Sequence, residues 1–493
     1  IIEWQGFSIG AGNSVSIDNG AGATLNRVTG TDLSRLDGLL TATGSAFLIN
    51  PNGIVVGPGG EVVTGGSFVA STRDIANEDF MDGGAMRFAG ASEGDVVNAG
   101  RIVSQNGDVV LIGRAVTNTG SIEAAGEASL AAAGDVLLQT EGTGQRVFIQ
   151  GAGPEGDVTN EGAVTAAEVQ LAAANGNVYA LAGNTDGVIR ATGSAVRNGR
   201  VLLTASGTAE ISGTIEAKNA DGSGGAIDVD ARDIALSGHV DVSAEAEGKD
   251  GGEAVLIADR HMSFSGTAEA KGGKGAAGGF VETSGKKIDI ADSARVVTLA
   301  EDGETGTWLI DPNDLTVAAS GGDITGATVS ANLSGTNVTL DSDNGGSAGN
   351  GDIFINDDIT WSANTTLTLD AVRNIEFNAD VAASGNTAGV ELIFGGEHIV
   401  NAGSLTLSGA SASLSLNGMA YTLIHDVTDL QNMEGDLAGH YALAVDIDAS
   451  ATSGWNAGEG FDPIGGEFSG TLDGFGHTIS DLYINRPGTN FVG

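Results

Sequence analysis

The sequence has no cysteine among its 493 residues and is poor in proline and aromatic residues, with 6 prolines and 5% Phe, Trp and Tyr. The lack of cysteine excludes a disulfide framework and thiolate metal sites. No run of eighteen apolar residues occurs, so no membrane-spanning helix is predicted. Glycine, by contrast, accounts for 80 residues, and the hydrophobic fraction is 41%. Glycine without proline in so apolar a chain indicates many turns between short β-strands rather than a disordered linker.

Basic residues are also scarce. The chain has 21 Lys and Arg against 64 Asp and Glu, which gives a net charge of −43. So acidic a surface repels phosphate backbones and anionic lipid headgroups, and nucleic acid is therefore not an expected partner. Like charge also keeps a long stack of β-strands soluble, because it discourages strand edges from pairing.

The segment 46–72 predicts a strand, a tight turn and a second strand. Apolar runs at 47–49 and 54–56 lie on either side of Asn50-Pro51-Asn52-Gly53, which has proline and glycine where a type I turn favours them. Short apolar runs bounded by glycine recur along the chain. They are typical of strands that are covered on both sides or that belong to stacked coils.

Four ordered motifs in the first part of the chain carry a family resemblance. In chain order they are Ile2-Glu3-Trp4-Gln5-Gly6-Phe7-Ser8-Ile9-Gly10-Ala11-Gly12, Leu25-Asn26-Arg27-Val28-Thr29-Gly30, Phe47-Leu48-Ile49-Asn50-Pro51-Asn52-Gly53 and Val69-Ala70-Ser71-Thr72. Their order and spacing resemble the haemagglutination-activity domain of two-partner secretion exoproteins, the filamentous-haemagglutinin-like adhesins. The resemblance implies recognition by an outer-membrane transporter, and it assigns that recognition to Asn50, Pro51, Asn52 and Gly53.

The resemblance also bears on how the chain is exported. Members of the family usually carry further residues before the motif that starts here at Ile2, so we expect the sequence to begin inside the domain. The absence of cysteine suits a chain that crosses a periplasm and a narrow pore unfolded, because a disulfide would block that passage.

Repeats follow the first domain. Asn98, Asn118 and Asn160 occupy the same place in an apolar-Asn-Gly-apolar pattern and are 20 and 42 residues apart, about one and two units of a period near 21. Further on, Gly225, Gly252 and Gly279 precede apolar strands at a spacing of 27. The expected fold is all-β, a right-handed parallel β-helix with small extra-helical elements in the N-terminal domain. Stacked asparagine amides would form a hydrogen-bonded ladder in it.

The pattern divides the chain into four predicted domains. Residues 1–95 are the N-terminally incomplete secretion domain, 96–300 are β-helix repeats, and 301–413 are further β-repeats after the segment around Trp308. Residues 414–493 resemble the GLUG repeat region of bacterial surface proteins and stop in mid-repeat, so we expect the native protein to continue. The least β-like stretch is 72–88, and within it residues 74–81 predict a short helix with Ser71 or Thr72 near its N-cap.

Two local patterns invite a chemical interpretation. The sequence Asp473-Gly474-Phe475-Gly476-His477 is similar to the Gly-His of β-helix polysaccharide hydrolases, whose sites need two or three carboxylates aligned on adjacent coils. Only Asp473 and Asp481 lie near His477 in the sequence, so no catalytic residue is predicted. Asp341 and Asp343 alternate like the ligands of a calcium loop but lack its closing glutamate. They are a weak calcium candidate, and no other cofactor is expected.

The resemblance and the repeats together predict a secreted adhesin at the surface of a Gram-negative bacterium. It would be exported by two-partner secretion and would extend as a β-helical rod that presents distal segments to an unidentified receptor or glycan, with self-association as a further expectation. Two alternatives remain open: a structural fibre or matrix protein that assembles by β-helix stacking, and a β-helix carbohydrate-active enzyme. A toxin-delivery stalk is a third.

Overall fold

A computed structural model of the chain describes residues 1–141, 144–151, 153, 155–182, 187–342 and 349–488. The chain divides into two compact units. The first comprises Ile1–Gly285 with Ala294–Gly306, and the second comprises Lys286–Ser293 with Thr307–Gly493. The predicted domain boundaries at 95, 300 and 413 remain predictions. Among the described residues, no helix combines the length and apolarity needed to cross a membrane.

The first unit is built from coils whose strands stack in parallel on three faces. Face 1 consists of β1 (Ile2–Trp4), β3 (Ala23–Val28), β6 (Ser45–Ile49), β9 (Phe68–Ser71), β14 (Val109–Gly113), β17 (Glu127–Ala132) and β22 (Glu168–Ala173). Face 2 consists of β2 (Ser14–Ile17), β5 (Leu39–Ala42), β8 (Glu61–Thr64), β13 (Arg101–Ser104), β16 (Ser121–Ala124), β21 (Ala163–Ala166), β24 (Val188–Ala191), β26 (Thr214–Ala217), β28 (His239–Asp241), β30 (Thr267–Glu269) and β32 (Arg295–Val297).

Face 3 consists of β4 (Ser34–Leu36), β7 (Ile54–Val56), β12 (Val96–Asn98), β15 (Val116–Asn118), β20 (Val158–Asn160) and β23 (Val178–Ala180). In later coils, faces 1 and 3 merge into the long strands β25 (Arg200–Ile211), β27 (Ala226–Leu236) and β29 (Glu253–Phe264). A further long strand is β31 (Phe280–Ile290). The parallel stacking confirms the predicted β-helix.

Apolar residues in register hold the coils together. On face 2 one inward position is occupied in successive coils by Val62, Ile102, Ile122, Val164, Ile189, Ile215, Val240, Ala268 and Val296, all buried. Each coil therefore covers the apolar residue of the coil before it, and neighbours along the strand alternate outward as the pleat requires. Because no coil can bury this face alone, stability comes from stacking.

The 27-residue spacing predicted from glycines is also the coil length at that place. Ala226 pairs with Glu253, and the residue before each of them is a glycine. A side chain at Gly252 would place its Cβ 2.1 Å from the carbonyl oxygen of Gly225, and one at Gly279 would lie 2.0 Å from that of Gly252. Glycine is needed here because the backbones of successive coils approach too closely for a Cβ atom.

A small antiparallel sheet covers the outside of face 1. It contains β10 (Asp74–Ile75), β11 (Met86–Ala89), β18 (Asp135–Glu141) and β19 (Gly144–Gly151), with helix α1 (Asn77–Asp82) between its first two strands. Its apolar side chains pack with Phe47 and Ile49 of face 1, and Phe80 of α1 lies edge-on to Phe47 at 5.2 Å. Covering on both sides accounts for the continuous apolar runs of these strands.

The predicted helix over 74–81 is wrong in its start and its cap. Strand β10 takes Asp74 and Ile75, and α1 begins at Asn77 after Ala76, which makes no side-chain capping bond. The hydroxyl of Ser71 is instead hydrogen-bonded to the backbone of Arg73, and that of Thr72 donates to the Gly94 carbonyl. Pairing of β10 with β11 therefore displaces the helix start towards the C-terminus.

The second unit repeats the three-faced arrangement with other coil lengths. Its faces are formed by β33 (Thr307–Asp311), β35 (Asn337–Asp341), β38 (Thr366–Ala371), β41 (Gly389–Phe394) and β44 (Ser413–Leu416); by β34 (Leu315–Val317), β36 (Ile353–Ile355), β39 (Ile375–Phe377) and β42 (His398–Val400); and by β37 (Ile359–Trp361), β40 (Val381–Ala383) and β43 (Leu405–Leu407). Helix α2 (Gly326–Leu333), which the sequence analysis did not predict, begins after Thr325, whose side chain accepts a hydrogen bond from Thr328 N at 3.1 Å.

The coil direction reverses after β44. Strand β45 (Met419–Ile424) pairs antiparallel with β44, and a smaller solenoid follows with β46 (His440–Leu443), β47 (Ile447–Asp448), β48 (Thr471–Asp473), β49 (Ile479–Ser480) and helix α3 (Val427–Asn432). Short 3-10 helices span Met433–Gly435, Ser450–Gly454 and Asn456–Gly458. This C-terminal segment has its own core around Ile424, Leu430, Leu443 and Phe461.

Candidate functional site

The turn that the resemblance singles out joins β6 of face 1 to β7 of face 3. Gly53 N donates to Asn50 O at 3.1 Å, and Asn52 N donates to Asn50 Oδ1 at 3.0 Å. Gly53 has φ +117°, a conformation that a residue with a side chain rarely adopts. The glycine and the first asparagine are therefore required by the backbone of the turn itself.

The two asparagines also fasten the turn to the preceding coil. Asn50 is fully buried, and its Nδ2 donates to Asp32 O at 3.0 Å and to Ser34 Oγ at 2.9 Å. Asn52 Nδ2 donates to Gly30 O at 2.9 Å. The side-chain amides of Asn50 and Asn52 thus donate to backbone carbonyl groups of the preceding coil that would otherwise accept from a neighbouring parallel strand.

The following coil closes over the other side of the turn. Ser92 Oγ donates to Pro51 O at 2.5 Å, and Ile54 N donates to Asp95 O at 3.0 Å. A Cβ atom at Gly94 would lie 2.6 Å from Pro51 O, so this coil passes directly over the turn. Of the four turn residues, Pro51 and Asn52 are exposed, and Leu33, whose Cβ would lie 3.9 Å from one at Gly53, is 48% exposed.

The three asparagines of the repeats lie in register inside face 3. Asn98 Nδ2 donates to Asn118 Oδ1 at 2.8 Å, and Asn118 Nδ2 donates to Asn160 Oδ1 at 2.7 Å. At the ends of the ladder, Asn98 Oδ1 accepts from Gly100 N and Asn160 Nδ2 donates to Gly162 O. All three side chains are buried, so their contacts are structural.

A buried acidic cluster lies under the β18–β19 hairpin and was not found by sequence reasoning. Glu127 stands in register with Glu168, its backbone N donates to Asp108 Oδ1 at 2.7 Å, and the Ser129 hydroxyl donates to its carboxylate. Burial raises the pKa of Glu127 to about 8, and the carboxylates of Asp108 and Glu168 act in the same direction. The sequence did contain a signal for this pair of glutamates. Glu127 follows the ladder residue Asn118 by nine residues, and Glu168 follows the ladder residue Asn160 by eight.

Arginines surround this cluster. Arg197 lies 3.4 Å from Glu168 Oε2 and 3.7 Å from Asp108 Oδ1, and Arg146 and Arg200 line the same small cavity. Gln170 also lines it, with Nε2 donating to Val147 O of the hairpin at 3.1 Å and with Oε1 unpartnered. Aligned carboxylates with arginines are what a β-helix hydrolase would need, but Glu127 is only 3% exposed.

The Gly-His pattern near the C-terminus forms pairs that differ from those suggested by proximity in the sequence. Asp473 pairs with His398, whose Nε2 is 2.6 Å from Oδ2, while His477 Nδ1 lies 3.5 Å from Asp446 Oδ1. The ring of His398 also stacks on Phe475 at 5.1 Å. Burial opposes ionisation of Asp473, but the hydrogen bond with His398 and one from Phe475 N outweigh it and lower the pKa of this carboxyl.

Two histidines in the same region cover the edge of β43. His477 Nε2 donates to Leu405 O at 3.0 Å, and His425 Nε2 donates to Leu407 O at 3.1 Å. The amides of Leu405 and Leu407 donate to Phe475 O and Ala444 O at 3.0 Å each. The C-terminal segment therefore occupies the hydrogen-bonding groups that a further coil would use on this face.

The calcium candidate is only partly described. Asp343 lies outside the described residues, and Asp341 ends β35 in register with Asp370. Within the described part of the chain, no group of three or more His, Asp or Glu side chains is placed to hold a metal ion.

Comparison with known proteins adds a family match. Residues 1–217 match the family described as the TPS secretion domain. A Heme/hemopexin-binding protein of Haemophilus influenzae is 33% identical over 106 residues, which are 21% of this chain and 12% of that protein. Halomucin of Haloquadratum walsbyi is 46% identical over 79 residues, or 14% of this chain and 1% of that protein. The chain thus spans at most 12% of the length of these curated relatives.

Among solved structures, the HMW1 secretion domain from Haemophilus influenzae superposes with a TM-score of 0.44 at 18% identity. The superposition covers 84% of this chain and 91% of that one.

Proposed function

We propose that this chain, a two-partner secretion exoprotein whose residues 1–217 match the TPS secretion domain, is exported by an outer-membrane transporter partner from a Gram-negative cell and acts as a surface adhesin. The family match supports the export step. The adhesive role is supported by the resemblance of the N-terminal motifs to adhesins.

We assign part of the transporter-recognition surface to the exposed tip of the turn, Pro51 and Asn52. Asn50 and Gly53 contribute indirectly, because the first is buried and the second sets the backbone. The exposed Leu33 beside the tip adds an apolar contact that a protein partner can bury. The observation that carries this assignment is that both neighbouring coils hold the turn while its tip remains exposed.

Two observations weigh against the alternative functions. End-to-end stacking into a fibre needs free strand edges, whereas the C-terminal segment covers the edge of β43 with histidine side chains and carbonyl groups. A carbohydrate-active enzyme needs carboxylates that a glycan can reach, whereas Glu127 is buried under a hairpin. We therefore favour a non-enzymatic role, and the receptor is to be sought among proteins and glycans.

Export is tested by replacing the two asparagines in cells that also make the transporter. We expect Asn52→Ala to lower the amount of chain in the medium about tenfold, the effect of about 1.4 kcal/mol on recognition. Asn50→Ala should lower it at least as much, because the turn also loses its bonds to Asp32 and Ser34. Quantitative immunoblots of medium and cells measure both.

The matched control is Asn198→Ala, an exposed asparagine elsewhere in the same unit, which should be secreted normally. Normal secretion of both turn variants would contradict the recognition role of the turn.

A further inference from the structure

Arg73 is a charged residue with no exposed surface. Its Nε donates to Ala133 O at 2.8 Å, its Nη1 donates to Ser92 O, and its Nη2 has no partner. Burial lowers the pKa of this arginine, and the nearby Glu93 acts in the opposite direction. A buried guanidinium held mainly by carbonyl oxygens is unfavourable for stability, so its position calls for another explanation.

The acceptors of Arg73 come from two later parts of the chain. Ser92 is 19 residues further on, in the segment 92–95 that closes over the Asn50–Gly53 turn, and Ala133 is 60 residues further on, directly after β17. Ser92 is also the residue whose hydroxyl donates to Pro51 O at 2.5 Å. Arg73 therefore holds the backbone of the residue whose side chain holds the turn.

Neighbouring contacts reinforce the same segment. Thr72 Oγ1 donates to Gly94 O at 3.2 Å, and Arg114 Nε donates to Glu93 O at 3.2 Å. Both tie the segment 92–95 to residues that follow strands β9 and β14 of face 1, but neither touches the turn. Within the described residues, the side-chain hydrogen bond from this segment to the turn comes from Ser92.

We propose that Arg73 is a positioning residue for export, which fixes Pro51 and Asn52 through Ser92 once the chain up to Ala133 has folded. This inference rests on the proposed function of the turn. Until both carbonyl acceptors are in place, the guanidinium is better solvated by water. Burial of Arg73 therefore couples the conformation of the turn to the stacking of the coils that follow it.

Hydrogen exchange of the purified full chain, followed by mass spectrometry, tests the positioning. The amides to follow are Gly53 N, which donates to Asn50 O, and Ile54 N, which donates to Asp95 O. We expect Arg73→Met and Ser92→Ala each to speed their exchange about fivefold to tenfold, the loss of about one hydrogen bond. Strands β26 and β28 should exchange as in the wild type.

The double variant and a surface control sharpen the test. Because both residues act along one route, Arg73→Met with Ser92→Ala should speed exchange by clearly less than the product of the single effects. Arg87→Met removes another arginine of the same unit, one whose side chain is 61% exposed, and should leave the turn unchanged. A folded Arg73→Met chain with wild-type exchange at Gly53 and Ile54, or effects that multiply, would overturn the inference.

If Arg73→Met does not fold, Ser92→Ala provides the test. It keeps the Ser92 carbonyl that Arg73 binds, and it removes only the hydroxyl together with its bond from Gly94 N. Unchanged exchange at the turn in this variant would also overturn the positioning role. Secretion assays then separate the two proposals. If the turn loosens and secretion stays normal, positioning stands and the export role of the turn fails. If secretion falls while the turn is unchanged, positioning fails.

Discussion

Replacing Asn118 by leucine is expected to lower the free energy of unfolding by about 2–4 kcal/mol, because it removes two buried hydrogen bonds and leaves a buried acceptor without its partner. Asn118 is the middle of the ladder, so its loss leaves Asn160 Oδ1 without its donor, while Asn98 Nδ2 keeps its 3.2 Å bond to Ser121 O. Leucine fits the site, since the same inward position in later coils is occupied by Ala180 and Ile211. Urea unfolding followed by circular dichroism measures the loss.

A triple variant separates the hydrogen bonds from packing. If Asn98, Asn118 and Asn160 all become leucine, no ladder amide is left without its partner, and the loss of stability should be smaller than the sum of the three single effects. The exposed Asn198→Leu should change stability by no more than about 0.5 kcal/mol. Additive losses in the triple variant would show that the ladder does not act as a unit.

The glycine spacing and the ladder were accessible to sequence analysis for one physical reason. Stacked coils place residues one period apart directly above each other. An asparagine or glycine that recurs once per period is therefore predicted to contact its counterpart in the next coil. The spacing of 27 between Gly225 and Gly252 and the alignment of Asn98 with Asn118 are both of this kind.

Contacts that cross the period were not accessible. His398 meets Asp473 after 75 residues, because a reversed C-terminal segment folds back on the coils. That sequence separation is not set by the repeat. The start of α1 was misplaced for a similar reason, since β10 pairs with a strand that lies beyond the helix.

The environment of Glu127 could be predicted from the sequence only in part. The alignment of Glu127 with Glu168 is within one residue of the ladder spacing, since the glutamates are 41 residues apart and Asn118 and Asn160 are 42 apart. The burial of Glu127, however, depends on the hairpin, which interrupts the repeat. The sequence could therefore have shown two stacked carboxylates, while only the structure shows that one of them is enclosed. Enclosure changes the expected chemistry, since an exposed pair repels weakly in water and a buried one favours the protonated form.

The largest pH effect is expected from Glu127→Gln. Burial holds the pKa of Glu127 at about 8 in the folded chain, against an ordinary value of 4.5. Below about pH 4.5 the carboxyl is protonated in both folded and unfolded chains, and it then brings no penalty. As pH rises from there towards 8, the unfolded chain releases the proton and the folded chain retains it, so stability is progressively lost.

Glutamine at position 127 keeps the acceptor for Ser129 and carries no ionisable proton, so the variant should not lose stability in this way as pH rises. Its advantage over the wild type should be small near pH 4 and should grow to on the order of 3–5 kcal/mol near pH 8. Urea unfolding of both chains across this range measures it, and Glu78→Gln, at an exposed position of α1, controls for the removal of one charge.

The surrounding charges decide whether this expectation holds. Asp108 and Glu168 favour the protonated carboxyl, whereas Arg197, together with Arg146 and Arg200 in the cavity wall, favours the ionised one. If the arginines prevail, the advantage of the variant will not change with pH. A stability advantage that grows as pH rises would show that Glu127 is neutral beneath the hairpin at neutral pH. The coil stack would then contain an uncharged carboxylic acid at a place where the sequence suggests two carboxylates that repel each other.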